Sequence, residues 1–271
     1  MTATLDLWHK HMTKFFRSGE AAFGMLLQPI LWVVLFGVGM EAMFKAGGAN
    51  LLPQPSSGGA MSGAGYIGFM LPGIITLSAL AGAVAGGATL LDERLRGIVK
   101  EYLVAPIPRY SILLANALST VTKGLFQALV IVLVGLAFGA RLSPNPASWG
   151  LALVFAGLYT LGIAGLALAV AAVVSSTLGY HGLIALDLPL LFASNAFYPL
   201  DVLPAWMGWI ARLNPTTYVI DLVRRLMYGV NYVGQMPGWL SALVLIGFAA
   251  LGMALASLAF QAEIRARGGA V

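Results

Sequence analysis

The chain has 271 residues, of which 59% are hydrophobic and 9% charged, with a net charge of +5 and no cysteine. A soluble domain carries roughly 25% charged residues, so a water-soluble fold is excluded, and the missing cysteines exclude disulfides, thiolate metal sites and thiol catalysis. The basic residues cluster between apolar runs instead of lining one face, a pattern that sets membrane topology and argues against a nucleic-acid partner.

Five stretches, 21–40, 66–91, 124–140, 142–186 and 226–262, contain no Asp, Glu, Lys or Arg. About 20 apolar residues cross a bilayer. The expected fold is all-α and membrane-integral: six transmembrane helices, an N-terminal interfacial helix and short re-entrant helices before the last span. Residues 1–20 are assigned to the cytoplasmic interfacial helix, 21–262 to the six-span domain and 263–271 to a cytoplasmic tail.

Taken in order, residues 4–17 place Leu5, Trp8, Met12, Phe15 and Phe16 on one helical face and His9, Lys10, Lys14 and Arg17 on the other. That spacing predicts a helix lying in the membrane interface. Cations before an apolar run also raise a cleaved signal peptide. The run reaches Met40 and no A-x-A site follows, which favours an uncleaved first span at 21–40. Residues 41–65, rich in Gly, Ser and Pro, read as a loop.

The second span, 66–91, carries Gly82 and Gly86 in a small-xxx-small arrangement suited to close helix packing. Over 92–109 the charge density rises, and Leu95, Ile98, Val99, Tyr102 and Leu103 recur at helical spacing until Pro106 and Pro108. This predicts a short amphipathic helix between two spans. It can receive force from a soluble partner, and a passive helix resting on headgroups has the same amphipathicity. The third span, 111–138, includes Lys123, whose stem can snorkel toward the headgroups.

The fourth span is expected at 149–174, with Gly157, Gly162 and Gly165. After a turn at 175–182 comes a short fifth span at 183–198, with Asp187 near its start, and the sixth is 239–260. Between the last two, Pro199, Pro204, Pro215 and Pro237 break the chain while Trp206, Trp209, Tyr218, Tyr228, Tyr232 and Trp239 seek the interface. Asn214 is placed to cap a helix opening on Pro215, with Val219, Leu222, Val223, Leu226 and Met227 as its apolar stripe and Gly229 as its stop. The segment 195–237 thus reads as half-inserted helices on one membrane face, with Pro199, Pro204, Asn214 and Pro215 marking a candidate outer gate.

With both termini cytoplasmic, that side holds Lys10, Lys14, Arg17, Arg94, Arg96, Lys100, Arg109, Arg265 and Arg267. The other holds Lys45, Arg141, Arg212, Arg224 and Arg225, so the bias places the termini inside.

No G-x-x-x-x-G-K-[ST] phosphate loop is present, and the G-x-G-x-x-A string from Gly37 and Gly39 ends a membrane run instead of opening a strand-to-helix unit. No H-E-x-x-H, paired catalytic carboxylates or nucleophile elbow appears, and three scattered histidines make no metal site. Lys123 and Asp187 are the ionisable residues within the predicted spans. They are candidates for a translocation path, too few for a proton relay, and either can serve locally near a membrane face.

The runs FMLPGIITLSALAGAVAGGATLLDERLRGIVKEYLVAPIPRYSILLANAL and NAFYPLDVLPAWMGWIARLNPTTYVIDLVRRLMYG resemble the type-2 ABC transporter permeases, notably the branch that exports drugs and lipooligosaccharides. An opening PILWVVLFG in the first span adds to the match, which extends over most of the chain. The shared motifs are Pro72-Gly73, the acidic-basic-Gly segment Asp92, Glu93, Arg94 and Gly97, the APIPR turn at 105–109 and Asn214-Pro215-Thr216. The family commonly reads Asp-Arg-Glu close to Gly where this chain reads DERLRG, which leaves open which acidic side chain meets the ATPase.

The resemblance implies two permeases, a homodimer being expected with a paralogue as the alternative second copy, paired with two ABC ATPase subunits in a bacterial or archaeal cytoplasmic membrane. ATP and Mg are expected on the ATPase and no cofactor on this chain. Asp92, Glu93, Arg94, Gly97, Lys100, Glu101, Pro106 and Arg109 are then the coupling residues. The cargo expected is an amphipathic, lipid-like or hydrophobic molecule such as a drug, a lipid or a lipid-linked glycan. Three other functions stay open: an ion-coupled carrier using Lys123 or Asp187, an intramembrane lipid enzyme, and a non-transporting anchor for a cytoplasmic partner.

Overall fold

The computed structural model describes residues 2–45, 65–104, 108–140, 143, 145–185, 187–229 and 234–268. Among them the helices run α1 (Thr2–Arg17), α2 (Gly19–Leu31), α3 (Val38–Lys45), α4 (Gly65–Leu95), α5 (Ile98–Val104) and α6 (Arg109–Ala137). They continue with α7 (Pro146–Val173), α8 (Thr177–Ile184), α9 (Asp187–Phe192), α10 (Ala205–Leu213), α11 (Pro215–Tyr228) and α12 (Gly238–Gly268). A π-helical stretch, Trp32–Gly37, joins α2 to α3. No strand occurs among the described residues.

Among the described residues five helical stretches are long and apolar enough to cross a membrane: Phe23–Met40, Tyr66–Leu95, Tyr110–Ala137, Pro146–Val173 and Gly238–Glu263. The protein is therefore an all-helical, multi-pass membrane protein. The stretch 183–198, expected as one short crossing, is instead the end of α8, the whole of α9 and a series of turns. Pro189 supplies the physical reason, because it has no N–H to offer the carbonyl of Ala185 and so sits in the first turn of a new helix.

α4 occupies the centre, packed against α6, α7 and α11. Phe69, Met70, Leu71, Ile74, Leu77, Leu80, Leu90 and Leu91 on α4 are all buried, joined by Ile131 of α6 and Leu168 of α7. At 31 residues, α4 is about 46 Å long at 1.5 Å per residue, longer than the roughly 30 Å hydrocarbon layer. One end therefore stands clear of the membrane core.

α7 and α12 approach most closely. A Cβ built on Gly165 falls 2.6 Å from the amide nitrogen of Met253, and one on Gly252 falls 3.0 Å from the carbonyl carbon of Gly162. Only glycine fits this crossing, which works as small-residue packing does where lipid provides no hydrophobic drive between helices.

Pro29 lies inside α2 and Pro72 inside α4. Each lacks the N–H that would bond the carbonyl four residues earlier, leaving Met25 O and Gly68 O without helical donors. Neighbouring helices supply the missing bonds: Gln127 Nε2 donates to Met25 O at 2.6 Å, and the Tyr228 hydroxyl donates to Gly68 O at 2.6 Å. A buried backbone carbonyl must be satisfied in an apolar medium, so each proline fixes a polar contact between two helices.

α1 packs along α6, with Trp8 Nε1 donating to Thr122 Oγ1 at 3.1 Å and Phe16 edge-on to Phe126 at 6.0 Å. Met12 and Phe15 are buried as expected, but Leu5 and Phe16 are 57% and 61% exposed, while Thr4 and His11 are buried. The expected single apolar face is thus split. Part of it meets α6, including one edge of Phe16, while Leu5 and the rest of the Phe16 ring are left where lipid would cover them.

Candidate functional site

The last turn of α4 carries Asp92, Glu93 and Arg94, and the three side chains do different things. Asp92 pairs with Arg96 one turn on at 2.8 Å, both on the outside. Glu93 and Arg94 are 6% and 8% exposed and point inward. Glu93 pairs with Lys10 of α1 at 3.6 Å. Lys10 also donates to the Tyr102 hydroxyl of α5 and lies 4.9 Å from that ring's centroid. Arg94 donates to the carbonyls of Ala172 and Val174 at the end of α7 and pairs with Glu263 of α12 at 3.8 Å. The last carbonyls of a helix have no partner of their own and favour a cation. One helical turn is in this way tied to α1, α5, α7 and α12.

Gly97 separates α4 from α5 with φ +81°, a left-handed conformation that glycine adopts without strain. The expected single amphipathic helix over 92–109 is consequently wrong in its boundaries. Asp92 to Leu95 end α4, Gly97 turns the chain, and α5 is seven residues long. Leu95, which shares the helical spacing of Val99, is 50% exposed, whereas Val99 is buried. Glu101 is exposed. Pro106 lies outside the described residues, as do the side chains of Lys100 and Arg109.

His11 is held down to about 4, first by burial and then by the charges of Lys123, Lys10 and Lys14. The imidazole therefore stays neutral at physiological pH among three lysines.

At the opposite end of α4 the polar groups converge on Pro72 and Gly73. Arg224 of α11 is wholly buried. Its Nε and Nη2 donate to Phe69 O at 3.1 and 2.8 Å, and Nη2 also donates to Asn195 O at 3.1 Å. The guanidinium lies 3.9 Å from the Phe69 ring centroid. A Cβ at Gly73 would fall 2.9 Å from Ala196 O, so the chain at 195–196 presses directly on the α4 backbone. Asp221, also fully buried, accepts from the amides of Gln235 and Met236 at 2.8 and 3.2 Å.

The proposed gate residues fall around this cluster. Asn214 caps α11 by accepting from Thr216 N at 3.0 Å, and its Nδ2 donates to Leu190 O at 2.6 Å. Pro215 occupies the first turn and Gly229, at φ +60°, ends the helix. Pro199 and Pro204 precede the short helical turn Leu200–Val202 and α10 respectively. Lys123 sits midway along α6 with its ammonium 5.4 Å from the Phe15 ring centroid, and Asp187 opens α9, its side chain outside the described residues. Among the described residues no three His, Asp or Glu could hold a metal ion.

Comparison with known families decides the class. The family model described as ABC-2 type transporter matches residues 2–228. The chain belongs to the ABC-2 type transporter family. The transport permease ycf38 of Cyanophora paradoxa is 32% identical over 201 residues, 73% of this chain and 65% of that protein. The ycf38 of Porphyra purpurea is 34% identical over 223 residues, 79% of this chain and 67% of its own. The match thus spans about two thirds of the length of these relatives. The inner membrane transport permease YadH of Escherichia coli is 27% identical over 233 residues, 85% of each chain.

In this ABC-2 transporter chain, sequence reasoning missed the two buried charged residues Asp221 and Arg224 and counted Arg224 among the basic residues that set topology. The signal was available in the spacing. Thr217, Asp221, Arg224 and Tyr228 recur at i, i+4, i+7 and i+11, one stripe of a helix, and that stripe is buried. It was obscured because charged residues at a helix surface are ordinarily solvated.

Proposed function

We propose that this chain is the membrane-spanning subunit of an ATP-driven exporter, acting as two copies with two copies of a separate ABC ATPase that carries ATP and Mg. The supporting observation is the division of labour in the last turn of α4. Leu95, Arg96 and Glu101 are exposed, whereas Glu93 and Arg94 bind inward to α1, α7 and α12. A subunit that pushes on the exposed surface displaces all of those helices at once. In this reading Glu93 and Arg94 are relays, and Asp92, Arg96 and Glu101 form the contact surface.

The charged end and both termini face the cytoplasm of a bacterial or archaeal cell. The burial of Arg224 supports this, since a buried arginine drops out of the far-side count and sharpens the bias of basic residues toward the termini. The cargo is an amphipathic or hydrophobic molecule that leaves the cytoplasm or the inner leaflet, in keeping with spans that carry few fixed charges. The polar cluster around Arg224, with α10 and α11, closes the far end.

Reconstitution in vesicles with the cognate ATPase tests this directly. ATP-dependent efflux of an amphiphilic dye or lipid is expected. Transport by the chain alone, or transport driven by a proton or sodium gradient without ATP, refutes it.

A further inference from the structure

We propose that the cavity between α2, α4 and α6 binds one anionic phospholipid, its phosphate at Lys123 and a headgroup hydroxyl at Gln127 Oε1. This site is independent of transport and of the ATPase reading. The cavity encloses about 370 Å³, within the range of small-molecule sites. Its walls include Met25, Pro29, Leu77 and Gly82, which suit an acyl chain, with Lys123 and Gln127 on the α6 side.

The other hydroxyls in the wall are largely committed: Ser78 donates to Ile74 O and Thr89 to Ala85 O, both at 2.9 Å. Gln127 differs. Its Nε2 is fixed on Met25 O, the carbonyl that Pro29 leaves free, so the amide cannot flip without breaking that bond. Oε1 is buried and has no hydrogen-bond partner, on a residue that is 3% exposed and lines the cavity. A buried acceptor left unsatisfied costs about 1–3 kcal/mol, which a hydroxyl on a ligand would recover.

Lys123 forms no ion pair among the described residues. The charged group close enough to act on it is Lys14 of α1, another cation, and the nearby His11 is neutral. The cavity Lys123 lines has largely apolar walls and offers its ammonium no counter-charge, and a phosphate there would supply one. Depth points the same way. Lys123 lies between Thr122 and Phe126, the α6 residues that touch α1, and an interfacial helix marks the level of lipid headgroups. Phe16 and Phe23, 61% and 67% exposed, flank this region as lipid-facing side chains. A soluble anion would leave the apolar walls wet, so a lipid is the occupant that satisfies both halves of the cavity.

The test is the relative association of spin-labelled phosphatidylglycerol and phosphatidylcholine with the reconstituted chain. A preference of roughly fivefold for phosphatidylglycerol, about 1 kcal/mol, is expected. Lys123→Gln should bring it close to unity, while Arg17→Gln on exposed α1 leaves it intact. Gly82→Leu should also abolish it by filling the cavity, since a Cβ there meets only Met25 Cε at 3.9 Å and the helix can accept the side chain. Selectivity unchanged in Lys123→Gln overturns the proposal whatever Gly82→Leu does. So does an equal loss in Arg17→Gln, which would indicate general surface charge, and so does displacement by soluble glycerol phosphate, which would indicate an anion pocket instead of a lipid site.

Discussion

Replacing Tyr228 by Phe removes a single hydroxyl, and the cost is calculable from Pro72. Residue 72 has no N–H, so Gly68 O has no i→i−4 donor, and the Tyr228 hydroxyl at 2.6 Å takes its place. Tyr228 is 4% exposed, so water cannot substitute freely. The phenyl ring keeps its packing, and the loss is that of a buried acceptor stripped of its partner, about 1–3 kcal/mol. In a Pro72→Ala background the new N–H at position 72 can bond Gly68 O within the helix. The same Tyr228→Phe change should then cost only about 0.5 kcal/mol, giving a coupling energy of about 0.5–2.5 kcal/mol in a double-mutant cycle. Equilibrium unfolding in mixed micelles for the four proteins provides the cycle. Equal costs in both backgrounds would falsify the pairing of the hydroxyl with the proline-freed carbonyl.

Three further outcomes follow from the geometry. Gly165→Val forces apart α7 and α12 where a Cβ already falls 2.6 Å from a backbone nitrogen, and overpacking of this kind costs about 1–3 kcal/mol or more; the yield of monodisperse protein and its melting temperature should both fall. Arg94→Gln loses the charge that bridges α7 and α12; ATPase binding should persist while ATP-driven transport drops severalfold, measured as the ratio of efflux to ATP hydrolysed. The pH response of the α1–α6 contact comes from His11, whose folded form resists protonation until about 4, against an ordinary value of about 6.5. Between those values the unfolded chain binds more protons, so stability falls as pH falls through that window. His11→Asn should flatten that slope in thermal melts at pH 4 to 7, and an unchanged slope would assign it elsewhere.

The long helices were legible because each is a long apolar run with few charges, the third interrupted only by Lys123. The helix from Pro215, its Asn214 cap and its Gly229 stop were legible for a different reason: those residues carry their own local geometry. The coupling segment was harder. Leu95, Ile98 and Val99 keep helical spacing across Gly97, and only the positive φ at Gly97 reveals that the chain turns there. Pro189 was similarly hidden inside an apolar run that composition alone reads as one span. Glu93 and Arg94 were recognised as a motif, but their inward direction depends on where α7 and α12 end, and that is tertiary information. The prolines in α2 and α4 could have been paired with donors in principle, yet Gln127 and Tyr228 lie 102 and 160 residues from the carbonyls they satisfy.

The most direct test of force relay uses the absence of cysteine from the chain. A single Arg96→Cys substitution places a unique thiol on the exposed side of the α4 terminus, and a short bifunctional reagent can join it to whatever lies opposite during ATP turnover. An adduct with a separate, nucleotide-hydrolysing polypeptide is predicted, formed in a yield that changes between the ATP-bound and nucleotide-free states. Failure to capture any such subunit, or labelling of that thiol from the side of the membrane opposite the termini, would contradict it.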